Sequence, residues 1–316
     1  MKESDEFTVL QKYFKNLGSQ FNDSSGILLG PGDDAGLFSV KKNDLIFSTD
    51  VSNSEVHFPK DLAPEHIAFR SCSVAASDIP ACGGTLKWLS ISLVTPSKNL
   101  DWLKQFAKGL NLFTKNYQVP IIGGDLVKGK ECSVSVGVCG EVSRKEFLSR
   151  NGAKVGDSIY VSGKLGLAKL GLKIISSKKK KLSAKEKKYV KKFLQPKVHT
   201  LLGKNLRNIA TSCIDISDGL LGDLGHICQQ SKLGAKIDLD LLPYEGFYKD
   251  ALTWGDDYEL CFTVPRNREL KLNNLLKELK LKNFKIGEII KEKGIRVVKD
   301  NKEIKLNRKS YNHFAS

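Results

Sequence analysis

Six times along this chain of 316 residues a short apolar run gives way to small residues and then to aspartate. The six segments read GPGDDAG with Asp33 and Asp34, FSTD with Asp50, AASD with Asp78, IIGGD with Asp125, IDISDG with Asp215 and Asp218, and WGDDYE with Asp256 and Asp257. A single aspartate after a strand ordinarily caps a turn or a helix. Six are a different matter, because loops at one end of a sheet converge, and carboxylates brought together repel unless cations lie between them. The pattern therefore implies short strands ending in tight turns, and it implies metal. Oxygen donors without a Cys or His cluster suit hard cations rather than zinc or copper. Mg²⁺ takes a few carboxylates and fills its remaining positions with water and phosphate, so a polyphosphate substrate follows. Glycines beside the acids let backbone N–H groups approach phosphate oxygens, and Gly219 opens a helix whose positive end suits the same purpose.

Periodicity fills in the frame. Phe7, Leu10, Tyr13, Phe14 and Leu17 predict an opening amphipathic helix, and further helices are predicted from Pro64 toward Ala76, through Leu103 to Phe113, from Gly219 toward Gly234 and from Arg268 to Leu279. Strands are predicted over 44–49, 88–95, 119–122 and 133–142, then over 158–162, 235–239, 259–264, 284–290 and 295–298. Strands alternating with helices define an α/β or α+β protein. The length suits two domains. After Val142 the polar, glycine-punctuated SRKEFLSRNGAKVGDSIYVSG places the boundary, giving a metal- and nucleotide-binding domain over 1–143 and a second α/β domain over 144–316 that completes the site.

The net charge of +16 suggests a nucleic-acid partner until it is located. Residues 1–127 hold 12 basic and 14 acidic residues, whereas the rest of the chain holds 39 and 21. Nine lysines and one glutamate fall between Lys178 and Lys192. With one Tyr, that run suits a solvated helical excursion rather than a stacking platform for bases. No membrane partner is expected, since the longest stretch without Asp, Glu, Lys or Arg, Trp88 to Ser97, is ten residues against the ~18 that span a bilayer. The start lacks signal-peptide character, so the cytoplasm is expected. The seven cysteines lack zinc spacing and read as buried apolar residues in a reducing compartment. Gly124 to Glu131 mimics a P-loop but ends in Glu where the Mg²⁺-binding hydroxyl belongs. No serine elbow or triad is present and no covalent nucleophile is expected. Of the five histidines His57, beside the FSTD segment, has an acidic neighbourhood, and His226 reads as a helix residue.

Taken in order, GPGDDAGLF, FSTDVSNSEVHF, SDIPACGG, IIGGD, SRNGAKVGDSIYVSG, CIDISDGLLGDLGHI, DDYELCFTVP and the closing YNHFA cover nearly the whole chain. Together they resemble the thiamine-monophosphate kinase family, of the superfamily that also holds aminoimidazole ribonucleotide synthetase and selenophosphate synthetase. The resemblance implies direct transfer of the γ-phosphoryl of ATP to thiamine monophosphate, the last step of thiamine diphosphate biosynthesis. It implies several Mg²⁺ ions on Asp34, Ser48, Thr49, Asp50, Asp78, Asp125, Asp215 and Asp218, with Asp33 flanking. Gly124, Asp125, Arg150 and Ser217 are implied as ATP contacts, and His57, Asp256 and Tyr311 as contacts of thiamine monophosphate. It also implies a homodimer paired through the N-terminal domains, with nucleotide held between domains. Leu126 stands where the family has a hydroxyl, Ala75 where it has Asn, and Asp256 where Glu is common. Two alternatives remain: another ATP-using enzyme of the superfamily, and a basic nucleic-acid-binding protein. Selenophosphate synthetase is disfavoured because no Cys lies near the N-terminal glycine segment.

Overall fold

The computed structural model describes residues 10–14, 16–29, 37–38, 43–96, 99–304 and 306. They fall into two compact units, Met1–Ile79 with Gly84–Arg144, and Pro80–Gly83 with Lys145–Ser316. Of the opening helix, Phe7 lies outside the described residues, and Leu10–Phe14 form one turn of π-helix.

The first unit contains strand β1 (Asp44–Asn53), helix α1 (Pro64–Ala81), β2 (Thr85–Thr95), helix α2 (Leu100–Tyr117), β3 (Ile121–Lys128) and β4 (Ser133–Val142). The sheet order is β1-β4-β2-β3. β2 and β3 run parallel, with α2 as their crossover, and the other pairs are antiparallel. Asn99 starts α2 by accepting the Asp101 and Trp102 amides at 3.0 and 3.2 Å, supplying two otherwise orphaned donors with a partner. Leu103, Phe106, Ala107, Leu110 and Phe113 form its buried stripe. Phe113 meets Phe69 of α1 edge-on at 5.6 Å. The helices touch at Gly109, where a Cβ would lie 2.1 Å from the Glu65 carbonyl oxygen. The opposite sheet face leaves Leu45, Phe47, Val51 and Val127 exposed. A short ladder pairs Ile27 with Phe38.

Two predicted strands prove longer than expected. Those over 44–49 and 119–122 continue to Asn53 and Lys128 because β4 and β2 offer long partners to pair with. Asp50 and Asp125 therefore lie within strands, and Asp78 within α1. For these three aspartates the expected strand-end loops do not hold. The middle of an edge strand tolerates a carboxylate because one side of its backbone is unpaired.

The second unit is built on β5 (Ser158–Val161), α3 (Leu167–Ser176), α4 (Ala184–Leu194), α5 (Thr200–Leu206), β6 (Ser212–Asp215), α6 (Leu220–Ser231), β7 (Gly234–Asp238), α7 (Tyr248–Thr253), β8 (Leu260–Val264), α8 (Glu269–Glu278), β9 (Phe284–Ile290), β10 (Gly294–Lys299) and β11 (Lys302–Ile304). The strand order is β11-β10-β7-β9-β5-β8-β6, antiparallel except for β10 on β7. On one face Ile159, Val161, Ile214 and Cys261 pack with Leu220, Leu224 and Ile227 of α6. On the other Tyr160, Phe262 and Val264 pack with Leu202, Leu206, Leu272 and Leu276. Burial on both faces is why SIYV and LCFTV are apolar runs without alternation. No described helix is long and apolar enough to cross a membrane.

Candidate functional site

In the first unit Ser48 of β1 donates its hydroxyl to Asp78 Oδ2 of α1 at 2.5 Å. Asp50 is two residues further along the strand and so shares the Ser48 face. Ladder register aligns Asp50 with Val136, Ile91 and Gly124, while Asp125 aligns with Ser92, Ser135 and Val51. Asp125 therefore falls on the other face, with Val51 and Val127. Thr49 is likewise offset from Ser48, its hydroxyl donating to the Val136 carbonyl at 3.3 Å. β1 and β3 are the two edges of the sheet. Three inter-strand spacings of ~4.8 Å put the Asp50 and Gly124 positions about 14 Å apart. Gly124 is required by close approach, since a Cβ there would lie 1.9 Å from the Ile91 carbonyl oxygen. Half-buried His57 accepts the Asn53 amide on Nδ1 at 3.0 Å, which leaves the proton of the neutral ring on Nε2.

In the second unit Asp215 ends β6, and the turn after it carries Ser217 and Asp218. Asp223, one turn into α6, accepts the Ser217 and Asp218 amides on Oδ2 at 3.0 and 3.1 Å and fixes the turn. Burial and then the like charges of Asp215 and Asp218 push Asp223 up to about 8, against the pull of its two amide bonds. Gly219 takes φ 110, which a side chain would strain, and α6 starts at Leu220. Asp256 lies beside this turn: its amide donates to the Ser217 carbonyl at 2.9 Å and the Tyr258 amide to that of Ile216 at 2.8 Å. Arg150 is exposed in the loop before β5, its carbonyl accepting from Ser231 Oγ at 3.3 Å. Asp33, Asp34 and Tyr311 lie outside the described residues.

Two groupings thus emerge, Ser48 with Asp50 and Asp78, and Asp215 with Ser217, Asp218 and Asp256. Among the described residues no three His, Cys, Asp or Glu side chains enclose a metal-sized point. The donors nevertheless fit Mg²⁺, which borrows much of its shell from phosphate and water. A cation would relieve the like-charge crowding around Asp223.

The sequence names Asp257 among the aspartate segments, but not its burial, nor the cluster around Glu259. Glu259 is buried with Lys192, His199 and Ser162 around it. Asp257 is buried too, accepting the Gly166 and Ala168 amides at 2.7 and 3.4 Å at the start of α3. Both acids belong to the quoted DDYEL segment, the one available signal, whereas His199 has none. The lysine run also needs correction. Ser183 and Glu186 form a reciprocal cap that starts α4, and the last lysine of the run, Lys192, is turned inward onto Glu259 with only 12% of its side chain exposed. The solvated reading fails for that residue because a helix has an inner face, and Lys192 is next to fully buried Phe193 on it. Lys179 and Lys185 pair with Glu186 and Glu245.

Family models match over both units, AIR synthase related protein N-terminal domain over residues 32–142 and C-terminal domain over 154–300. The chain is thus a two-domain AIR synthase related protein. Thiamine-monophosphate kinase of Buchnera aphidicola subsp. Schizaphis graminum is 37% identical over 99% of both chains. The crystal structure of thiamine-monophosphate kinase from Stenotrophomonas maltophilia superposes with a TM-score of 0.84 at 33% identity, covering 92% of this chain and 95% of that one. A structure of AaThiL complexed with AMPPCP and TMP superposes with a TM-score of 0.78 at 29% identity, covering 99% and 98%. Within that class, the chain belongs to the thiamine-monophosphate kinase family.

Proposed function

We propose that this protein phosphorylates thiamine monophosphate with ATP, giving thiamine diphosphate, and that it does so by direct transfer. The observation that carries this reading is the full-length match in both units to thiamine-monophosphate kinases. The nucleophile is an oxygen of the substrate's own phosphate, so the chain supplies position and charge rather than a covalent partner. Mg²⁺ on the carboxylates, in several copies, neutralises charge on the transferring phosphoryl group. Asp34, Ser48, Thr49, Asp50, Asp78, Asp125, Asp215 and Asp218 hold these ions. Gly124, Asp125, Arg150 and Ser217 contact ATP. His57, Asp256 and Tyr311 receive thiamine monophosphate, an aromatic ring and a carboxylate suiting its cationic thiazolium. Residues 1–143 and 144–316 act as the two halves of this machine, in the cytoplasm, where ATP is available and free cysteines persist.

The protein works as a homodimer. Support comes from the exposed Leu45, Phe47, Val51 and Val127 on one sheet face, and from Asp50 and Asp125 lying on opposite edges and faces of one sheet. Aspartates about 14 Å apart are beyond the reach of one ion with ~2.1 Å bonds, whereas a second copy can bring its Asp125 to this chain's Asp50.

Incubation with ATP, Mg²⁺ and a panel of acceptors tests the reaction. Thiamine diphosphate should form from thiamine monophosphate and not from thiamine, and activity should vanish in excess EDTA. Turnover of thiamine, or none of the monophosphate, overturns the reading. Mixing Asp50→Asn with Asp125→Asn tests the dimer. If one site draws these residues from two chains, mixed dimers hold one intact site and regain about a quarter of wild-type activity. No regain places both in one chain's site.

A further inference from the structure

The segment between Trp254 and β8 is held in a conformation that side chains disfavour. Gly255, Asp256 and Tyr258 have φ of 88, 67 and 48°, so three of four consecutive residues are left-handed. Such a stretch persists only where its surroundings over-determine it. On one side the anchor is backbone: Asp256 and Tyr258 donate to the Ser217 and Ile216 carbonyls, and the Ile216 amide donates back to the Glu259 carbonyl at 2.7 Å. On the other side the anchor is the Glu259 carboxylate. Lys192 bonds its Oε1. His199 Nε2 lies 2.8 Å from its Oε2, and Ser162 donates to the same oxygen at 2.5 Å. The Ser162 hydroxyl in turn accepts the Leu260 amide at 2.8 Å. Gly163 makes room, since a Cβ there would lie 2.7 Å from the Glu259 carboxyl carbon.

A buried ion pair is a poor way to gain stability, because desolvation cancels most of the attraction and apolar residues of similar size serve as well. What it supplies is a fixed geometry. Burial opposes the Glu259 charge, yet Lys192 and His199 hold its carboxyl well below the usual range, so the anchor stays charged wherever the enzyme works.

We propose that Lys192, Glu259 and His199 are positioning residues for the acceptor end of the reaction: they lock the left-handed turn so that Asp256 meets thiamine monophosphate. This rests on the assignment of Asp256 to the substrate. The three touch no substrate themselves, and the effect passes along the three residues between Glu259 and Gly255.

Steady-state kinetics on the full-length protein tests it. Lys192→Met should raise KM for thiamine monophosphate at least ~10-fold and move KM for ATP less than threefold, a split that general loss of fold does not produce. Lys192→Arg, which keeps the pair, should stay within threefold on both. The double variant Lys192→Met with Glu259→Gln strands no charge, so it should melt nearer to wild type while keeping the raised KM. An unchanged KM in either Met variant overturns the proposal. Asp256→Ala separates the two claims: a raised KM there with a normal one in Lys192→Met rejects positioning alone, and a normal KM in Asp256→Ala rejects the assignment beneath it. If the Met variants do not fold, amide exchange of the wild type decides. Asp256 and Tyr258 amides exchanging as slowly as β8 support the lock, and loop-like exchange refutes it.

Discussion

Gly255→Ala puts the coupling between the two acidic segments under direct strain. Gly255 has φ 88, and a Cβ built on it would lie 2.0 Å from the Ser217 carbonyl oxygen and 2.8 Å from the Asp218 carbonyl carbon. Real Cβ contacts stay beyond about 3 Å, so the 215–218 turn and the 255–258 turn must part by about 1 Å, and neither neighbour is a flexible side-chain tip. A left-handed alanine costs about 1–2 kcal/mol, and forcing atoms into a packed site adds about 1–3 kcal/mol. The smaller entropy of the unfolded alanine chain returns about 0.4–1 kcal/mol. The net is about 3 kcal/mol, or roughly 6–12 °C in Tm for a unit of this size. A 1 Å displacement of groups that position reactants costs ~10²-fold in rate. Gly156→Ala is the matched control, with φ 87 and nothing within 4 Å of its Cβ. It carries the dihedral cost without the clash, so it should lower Tm by only about 2–4 °C and leave kcat/KM within threefold. Coupled measurement of ADP release and thermal melting distinguishes them. Activity of Gly255→Ala within threefold of wild type, or equal losses in both variants, would refute the reasoning.

Other outcomes follow from the same geometry. Asp50→Asn and Asp125→Asn should each lower kcat at least ~10²-fold with little change in circular dichroism, because each is proposed to hold metal that neutralises charge on the transferring phosphoryl. Ser48→Ala deletes the donor to Asp78 and should cost about 10-fold in kcat at limiting Mg²⁺, the loss shrinking as Mg²⁺ is raised. Replacing Lys178, Lys180, Lys181, Lys187, Lys188 and Lys191 by Gln should leave activity within about twofold, since surface changes rarely exceed ~0.5 kcal/mol. A tenfold rise in KM for ATP at both low and physiological salt would show that these lysines contact nucleotide. Asp223 is raised to about 8 and Asp257 to about 7, both mainly by burial. The folded state therefore holds protons that the unfolded chain releases near pH 4, and the contribution of these two groups to stability is greatest below that pH and falls as pH climbs through 7 and 8. Urea melts between pH 5 and 9 should show a decline of up to ~1.4 kcal/mol per unit for each group, blunted by Asp223→Asn. A flat profile rejects that assignment.

The strands and helices that carry a single period were legible from residues alone. The stripe of α2 and the alternation of β4 are visible as written, and the runs of β5 and β8 follow from burial on both faces. The aspartate segments were legible as a pattern, but their positions in the fold were not. Nothing in FSTD or IIGGD says that the strand continues past its aspartate, because continuation depends on how long the partner strand is. Lys192 is the reverse case. The other eight lysines of the run are exposed, and only the packing of Phe193 reveals that one lysine of the run points inward. Thus local pattern reports on elements, whereas pair partners remote in sequence, such as Lys192 with Glu259, require the fold.

The two edges of the four-stranded sheet carry the aspartates assigned to catalysis, Asp50 on one and Asp125 on the other. An open edge invites pairing with any extended chain, and a charge within it is how proteins discourage that. These carboxylates therefore also guard solubility. Neutralising either one removes both a proposed ligand and a deterrent, so Asp50→Asn and Asp125→Asn should precipitate more readily than wild type, most of all without nucleotide. Their rates must be scored per soluble molecule, since a chain lost to edge-to-edge aggregation is otherwise counted as a failure of chemistry.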